Sequence, residues 1–558
     1  MTLRSNFEPG TTRWAVRRAQ WLAMGLSEAD LLKPKIAVVN TSSKLSICYL
    51  HLDDVSAAVQ EAIRAAGGVP FEIRTAAPSD FVTSAGRKGR YLMPTRDLVV
   101  NDVEVQVEGA VLDGMVFLSS CDKSTPAHLM AAGRLDLPAI IVPCGYQLGG
   151  MCGSRVVDIE DVYTGVGAVK AGRLSLDELQ RMTCSAIQGP GVCAGLATAN
   201  TMHVLAEALG MAPAGSAPVR AGSDKMFENA RWSGARIVAM VEQGITARRV
   251  LTPAAFRNAV RVAVTMGGSV NCVRHLVAIA SETECAVDVF AEIRAARDLP
   301  LITRVRPNGP DRIEALEAAG GCRGVMKQLS TVLALDALTV EGTALSERLS
   351  LAPVPDESVI RPLDRPFSPD PGLILIKGNL APGGAIVKLA AVPLSARRFS
   401  GPCRVFEDED RAIAGLGDGT IKAGDAIVLR MMGPIGGPGT VFAASFMAAL
   451  VGAGLGDSVA VITDGELSGL NRGITIGQVM PEAAEGGPLA VVQDGDIVDI
   501  DLDAGHIDLR LSETELQARV TQWHGVLPEA PRGWLALYRS LVRPLAEGAV
   551  LRPRSRDR

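Results

Sequence analysis

Three cysteines stand where a thiolate would leave an apolar core and face a cleft. Cys48 lies in NTSSKLSICYLHL, Cys121 in SSCDKSTPAHLMAAGRL directly after an apolar run, and Cys193 in the glycine-rich GPGVCAGLATANTM. Thiolates are soft donors that favour iron–sulfur clusters and zinc. Three are one short of a closed four-thiolate site, so an iron held this way keeps a position for water or a substrate hydroxyl and acts as a Lewis acid. Taken singly, each cysteine is more often a small buried apolar group. No CxxC pair decides between the two readings.

Two further constellations carry chemistry. Asp122 and Lys123 follow Cys121 directly. A carboxylate there would hold Mg2+ through oxygen. The lysine ammonium would be repelled by a dication unless paired with an acid or converted to a carbamate, and an Asp–Lys pair is more commonly an ordinary surface ion pair. Ser468 lies in Asp464-Gly465-Glu466-Leu467-Ser468-Gly469, after an apolar run. Its hydroxyl is a weak base unless a positive group stabilises the alkoxide, and turn serines more often satisfy the backbone. The six histidines form no HxxxH pattern, and the remaining cysteines have no motif context, so they are assigned to packing.

The elements that must position these residues read as α/β. Lys35–Asn40, Leu112–Ser120 and Ala139–Pro143 are apolar strand-like runs. They alternate with helical stretches at Asp53–Ala66 and Pro126–Leu135, which indicates a parallel sheet with helices. In such sheets, chemistry gathers past the carboxyl ends of the strands. Val192–Leu209 reads as helical, and residues 225–350 continue as helices. A proline cluster (Pro353, Pro355, Pro362, Pro366, Pro369, Pro371) marks a linker. Beyond it lie short strand-like runs at Gly372–Lys377, Ala426–Arg430, Ser458–Thr463, Ala490–Val492, Ile497–Leu502 and Ile507–Leu511, with a hairpin turn at Asp503–His506. We therefore expect an N-terminal α/β domain over 1–365 carrying the cysteine and metal motifs. A C-terminal β-barrel-like domain with flanking helices, over 366–558, would carry the serine.

The chain has 558 residues, too many for one core. It is 47% apolar and only 4% aromatic, so the interior must be built from Ala, Val, Leu and Ile. A net charge of −5 without a basic stripe excludes a nucleic-acid surface. No apolar stretch is long enough to span a bilayer, and the first residues lack a secretory core. The expectation is a cytoplasmic protein with reduced thiols and no membrane or nucleic-acid partner.

Together these segments resemble the dihydroxy-acid and sugar-acid dehydratase family, nearly end to end. The resemblance also rests on GNLAPGGAIVK, GPIGGPG, TDGELSG and PEAAEGGPLAVVQDGD in the second half. It implies a hydro-lyase that converts a 2,3-dihydroxy carboxylic acid, either a branched-chain dihydroxy acid of amino-acid synthesis or an aldonic acid of sugar catabolism, to a 2-keto acid. By the same resemblance Cys48, Cys121 and Cys193 hold a 2Fe–2S cluster. Asp80, Asp122 and Lys123, the last as its carbamate, hold Mg2+, and Ser468 is the base. A homodimer or homotetramer is implied as well. The sequence departs from the family at Phe442, which stands where relatives carry a metal-binding glutamate. Glu466 stands where relatives often carry arginine, and is the carboxylate placed to substitute. The competing readings are an iron–sulfur paralogue with a regulatory or sensing role and a zinc enzyme using the same thiols.

Overall fold

The computed structural model describes residues 3–553 except 80–81, 83–84, 87–88, 442, 468–471 and 530–531. The first half is organised on strands β1 (Lys35–Asn40), β2 (Val69–Arg74), β3 (Gly114–Ser119) and β4 (Ala139–Pro143). They pair in the order β2-β1-β3-β4, all parallel. Every residue of β1, β3 and β4 is buried, as continuous apolar runs require when helices cover both faces. The register sets Asn40 beside Leu118 and Ser119 beside Pro143, so the carboxyl ends of three strands lie level. Helix Leu52–Ala65 packs on helix Asp224–Gln243, and helix Ser124–Leu135 packs on Leu92–Ala110 and Asn271–Thr283. Asp53 and Asp54 occupy the first turn of Leu52–Ala65, where carboxylates favour the positive end of the helix dipole.

A small hairpin, β5 (Gly150–Cys152) with β6 (Arg155–Val157), precedes the helical middle of the chain. The second half carries β7 (Ile374–Ile376), β8 (Gly384–Val387), β9 (Arg398–Phe406), β10 (Ala426–Leu429), β11 (Ala460–Thr463), β12 (Thr475–Met480), β13 (Ile497–Asp501) and β14 (His506–Leu509). Their order is β14-β13-β9-β10-β11-β12-β8-β7. Lys377, just past β7, bridges to His506 of β14, so the sheet is a nearly closed barrel. Strands β9 to β12 run parallel, which aligns the carboxyl ends of β10 and β11 at Leu429 and Thr463. Ile376, Val387, Val428, Ile462, Ile476 and Ile507 fill its interior. Among the described residues no helix is long and apolar enough to cross a membrane.

Local expectations fail at several places, and strands β2, β8 and β12 are not among the runs read as strands. The helix expected from Val192 begins only at Thr198. Upstream, Gly189 and Gly191 adopt φ of 86° and 109°, and Val192 exchanges backbone hydrogen bonds with Gly145 and Gln147. A Cβ on Gly191 would fall 2.7 Å from the Gly145 carbonyl oxygen, so this extended approach needs glycine. Ala490–Val492 is not a strand, because Pro488 opens a 3-10 turn over Pro488–Val491. Conversely β9, the longest barrel strand, went unread because its sequence contains Gly401 and Pro402.

Candidate active site at the joint of the two sheets

Cys121, Asp122 and Lys123 follow β3 at its carboxyl end and lead into helix Ser124–Leu135. Cys121 has φ of 68°, a left-handed conformation that a side-chain-bearing residue adopts at some strain. Cys48 lies in the loop after β1, whose main chain is tied to the same strand end by the Ser120 hydroxyl, which donates to the Cys48 carbonyl at 2.7 Å. Burial, then Cys121 and Cys48 beside it, push the Tyr49 phenol well above its usual range. Cys193 follows Val192, which pairs beside Tyr146 just past β4, and Asn200 Nδ2 holds the Cys193 carbonyl at 2.7 Å. All three cysteines therefore come from loops at the carboxyl edge of the first sheet. Among the described residues, no group of three or more His, Cys, Asp or Glu side chains stands close enough to hold a metal ion. The donor set nonetheless suits a thiolate-bound cluster in kind, because three thiols lie on loops at one edge of the sheet.

Lys123 is fully buried. Its Nζ donates to Asp122 Oδ2 at 3.1 Å and to Glu466 Oε2 at 3.2 Å, and lies 3.5 Å from His275 Nε2. Glu466 arrives from the other half of the chain, on the loop after β11. Burial alone would raise its carboxyl, but Lys123 and Arg274 outweigh it and hold Glu466 below its ordinary range. Burial pushes the Asp122 carboxyl up against the pull of Lys123, and the Thr198 hydroxyl hydrogen-bonds to it. His275 is held neutral by burial and by Lys123, Arg96 and Arg274 around it. Arg96 Nη2 in turn donates to Asp97 and to the carbonyls of Gly548 and Ala549 near the chain end.

Helix Asn271–Thr283 clasps the two halves. Asn271 Nδ2 donates to the Leu467 carbonyl at 3.0 Å and to Thr198 Oγ1 at 3.2 Å, and Arg274 Nη2 donates to Thr440 Oγ1 at 3.1 Å. The loop after β11 is braced from below: Asp464 accepts from the backbone of Met432 and Ala483, both at 2.9 Å, and burial pushes its carboxyl up to about 6. Three residues named from sequence, Asp80, Phe442 and Ser468, lie outside the described residues. Sequence reading missed Asn271, Arg274, His275 and Thr198. Their one signal is a run of polar side chains, Asn271, Arg274 and His275, in an otherwise apolar helix.

A cleft of about 840 Å3 opens nearby, lined by Arg306, Asn308, Arg312, Asp457 and Arg472 among others. It does not include Lys123. It adjoins the site through the Arg306 carbonyl, which accepts from Leu196 N, and through Arg472, which follows 468–471 in sequence. Its arginines are committed to Asp158, Glu160 and Asp161.

Thiols and carboxylates lie buried where a parallel sheet and a barrel meet, and both halves bring side chains to that place. Comparison with known proteins identifies the family. Residues 33–348 match the dihydroxy-acid/6-phosphogluconate dehydratase N-terminal model, and residues 358–549 match the corresponding C-terminal model. A dihydroxy-acid dehydratase of Methanococcoides burtonii is 40% identical over 98% of this chain and 99% of its own length. One of Ignicoccus hospitalis is 41% identical over 96% and 98%, and one of Acetivibrio thermocellus 40% identical over 96% and 97%. The chain belongs to the dihydroxy-acid/6-phosphogluconate dehydratase family, and it is a hydro-lyase.

Proposed function

We propose that the chain removes water from a small 2,3-dihydroxy carboxylic acid, branched-chain or aldonic, to give a 2-keto acid. The observation that carries this reading is the meeting of Asp122, Lys123 and Glu466 beside Cys121, with Ser468 two residues beyond Glu466. The relatives named as dihydroxy-acid dehydratases support the substrate class. Cys48, Cys121 and Cys193 would hold a 2Fe–2S cluster, and Asp80, Asp122 and Lys123, as its carbamate, would hold Mg2+. When bound, these groups supply Lewis acidity to the departing C3 hydroxyl and to the carboxylate with its C2 hydroxyl.

The chain's own residues do the rest. Ser468 takes the proton from C2, and its alkoxide would be favoured by the Arg274 guanidinium and by Mg2+ when bound. Asn271 fixes the carbonyl of Leu467, the residue before Ser468 in sequence. Burial of Asp122, Lys123 and Glu466 excludes water and strengthens each electrostatic contact. Loss of hydroxide from C3 leaves an enol that becomes the 2-keto acid. The division of labour supports two domains, 1–365 and 366–558, with the site between them.

The test is a panel of branched-chain dihydroxy acids and aldonic acids, assayed with anaerobically purified protein and added Mg2+. We expect 2-keto acid from at least one, and Ser468→Ala should abolish turnover while keeping visible absorption. Turnover of Ser468→Ala near the wild-type rate removes Ser468 as the base. No turnover of any panel member by the wild type removes the reading.

A further inference from the structure

Arg274 is buried, with 1% of its surface exposed, yet little of its hydrogen-bonding capacity is used. Nη2 donates to Thr440 Oγ1 at 3.1 Å. Nη1 stands 3.7 Å from Glu466 Oε1, an ion pair beyond hydrogen-bond distance. Among the described residues, Nε, Nη1 and Glu466 Oε1 have no hydrogen-bond partner. Buried charged groups left this way are costly, and they mark a place where a polar ligand belongs.

We propose that Arg274 grips the carboxylate of the substrate. The inference rests on the dihydroxy-acid reading above. A guanidinium meets a carboxylate in plane through two parallel N–H···O bonds, which an ammonium cannot do. Lys123 is already engaged by Asp122 and Glu466. The position also suits the chemistry. Asn271, one turn before Arg274 on the same helix and about 4.5 Å along its axis, holds the residue that precedes Ser468. A carboxylate at Arg274 therefore lies within one helical turn of the contact to Leu467. Thr440, from the loop after β10, fixes the plane of the guanidinium.

The experiment uses anaerobically purified full-length protein and two probes. One is the 3-deoxy analogue of whichever dihydroxy acid the panel shows to be dehydrated, which cannot lose water. The other is its amide. Affinities are measured by titration calorimetry. Wild type should bind the acid about 30–100-fold more tightly than the amide, as expected when a charge-assisted bidentate contact is lost. Arg274→Leu should bring the acid down to the affinity of the amide and leave the amide unchanged. Arg274→Lys should retain part of the preference. Thr440→Val, which leaves the guanidinium in place, should cost the acid a few-fold, and it serves as the probe if Arg274→Leu fails to fold. Acid preference unchanged in Arg274→Leu or in Arg274→Lys overturns the proposal while leaving the dehydratase reading intact. Equal binding of acid and amide by wild type overturns it as well. If no panel member is dehydrated, both the reading and the inference fall.

Discussion

In metal-free protein, where Lys123 is the free ammonium, Lys123 and Glu466 join the two halves of the chain beside the longer Arg274–Glu466 pair, and their coupling can be measured. At 3.2 Å the pair is worth about 5 kcal/mol of gross attraction at an effective dielectric near 20. Desolvation removes part of this, so the net coupling should fall between about 2 and 5 kcal/mol. Lys123→Met leaves Asp122 and Glu466 buried with Arg274 as the nearest stated cation to Glu466, and should destabilise by about 3–5 kcal/mol. Glu466→Gln keeps an acceptor for Lys123 but strips charge from both Lys123 and Arg274, and should cost somewhat less. In the double variant one cation and one anion leave together. Its loss should be smaller than the sum of the single losses by at least about 2 kcal/mol. Urea unfolding of the four proteins, followed by tryptophan fluorescence and by circular dichroism, closes the cycle. Additivity within about 0.5 kcal/mol would refute the contact, because independent sites behave that way.

Three further outcomes follow from particular contacts. Cys121→Ser should yield protein without visible absorption after anaerobic purification, whereas Cys184→Ser, at an exposed cysteine, should keep it; colour retained in Cys121→Ser argues against that thiol as a ligand. Burial lowers the fully buried Lys388 to about 7 from 10.5, against the opposing pull of Glu160, so between those pH values the unfolded chain holds a proton that the folded chain has released, and stability rises with pH. The stability of wild type minus that of Lys388→Met should climb by about 4 kcal/mol from pH 7 to 10.5, and a flat difference would show that Lys388 does not titrate there. A Cβ on Gly167 would stand 2.0 Å from the Ala448 carbonyl oxygen and 2.7 Å from Gly452 Cα, so Gly167→Ala should destabilise by about 2 kcal/mol or more, and a neutral substitution would contradict the close packing of helices Ile159–Lys170 and Ala444–Gly452.

The parts of the fold that were legible share a physical reason. β1 and β4 are uninterrupted apolar runs because helices cover both faces, and such runs announce themselves whatever their partners. β9 did not, because Gly401 approaches the Gly424 carbonyl, with a Cβ there falling 2.0 Å from its oxygen, and Pro402 follows; locally this reads as a break. The start of helix Thr198–Ala208 was misplaced for a related cause: the glycines before it serve an extended pairing with Gly145 and Gln147, a long-range partner that no local pattern shows. The cysteines and Asp122-Lys123 were visible because unusual residue types sit at strand ends. Asn271, Arg274 and His275 were not, because their helix otherwise carries the apolar spacing of an ordinary core helix, and only the folded chain reveals that this face meets the loops after β10 and β11.

That arrangement explains why the two halves belong together. Within the first half, Asp122 contacts Lys123, but Arg274 and Arg96 crowd the same space with only Asp97 as a further stated acidic partner. In the second half, Glu466 would be a buried carboxylate without a cation. Neither half can bury its share of the site in water-free surroundings alone, since an isolated charge is expelled or neutralised. Docking brings Glu466 to Lys123 and Arg274, and the clasp of Asn271 on Leu467 sets its register. The charges of Lys123, Glu466 and Arg274 thus help hold the sheet and the barrel against each other, and a substitution that relaxes the cluster must loosen that contact.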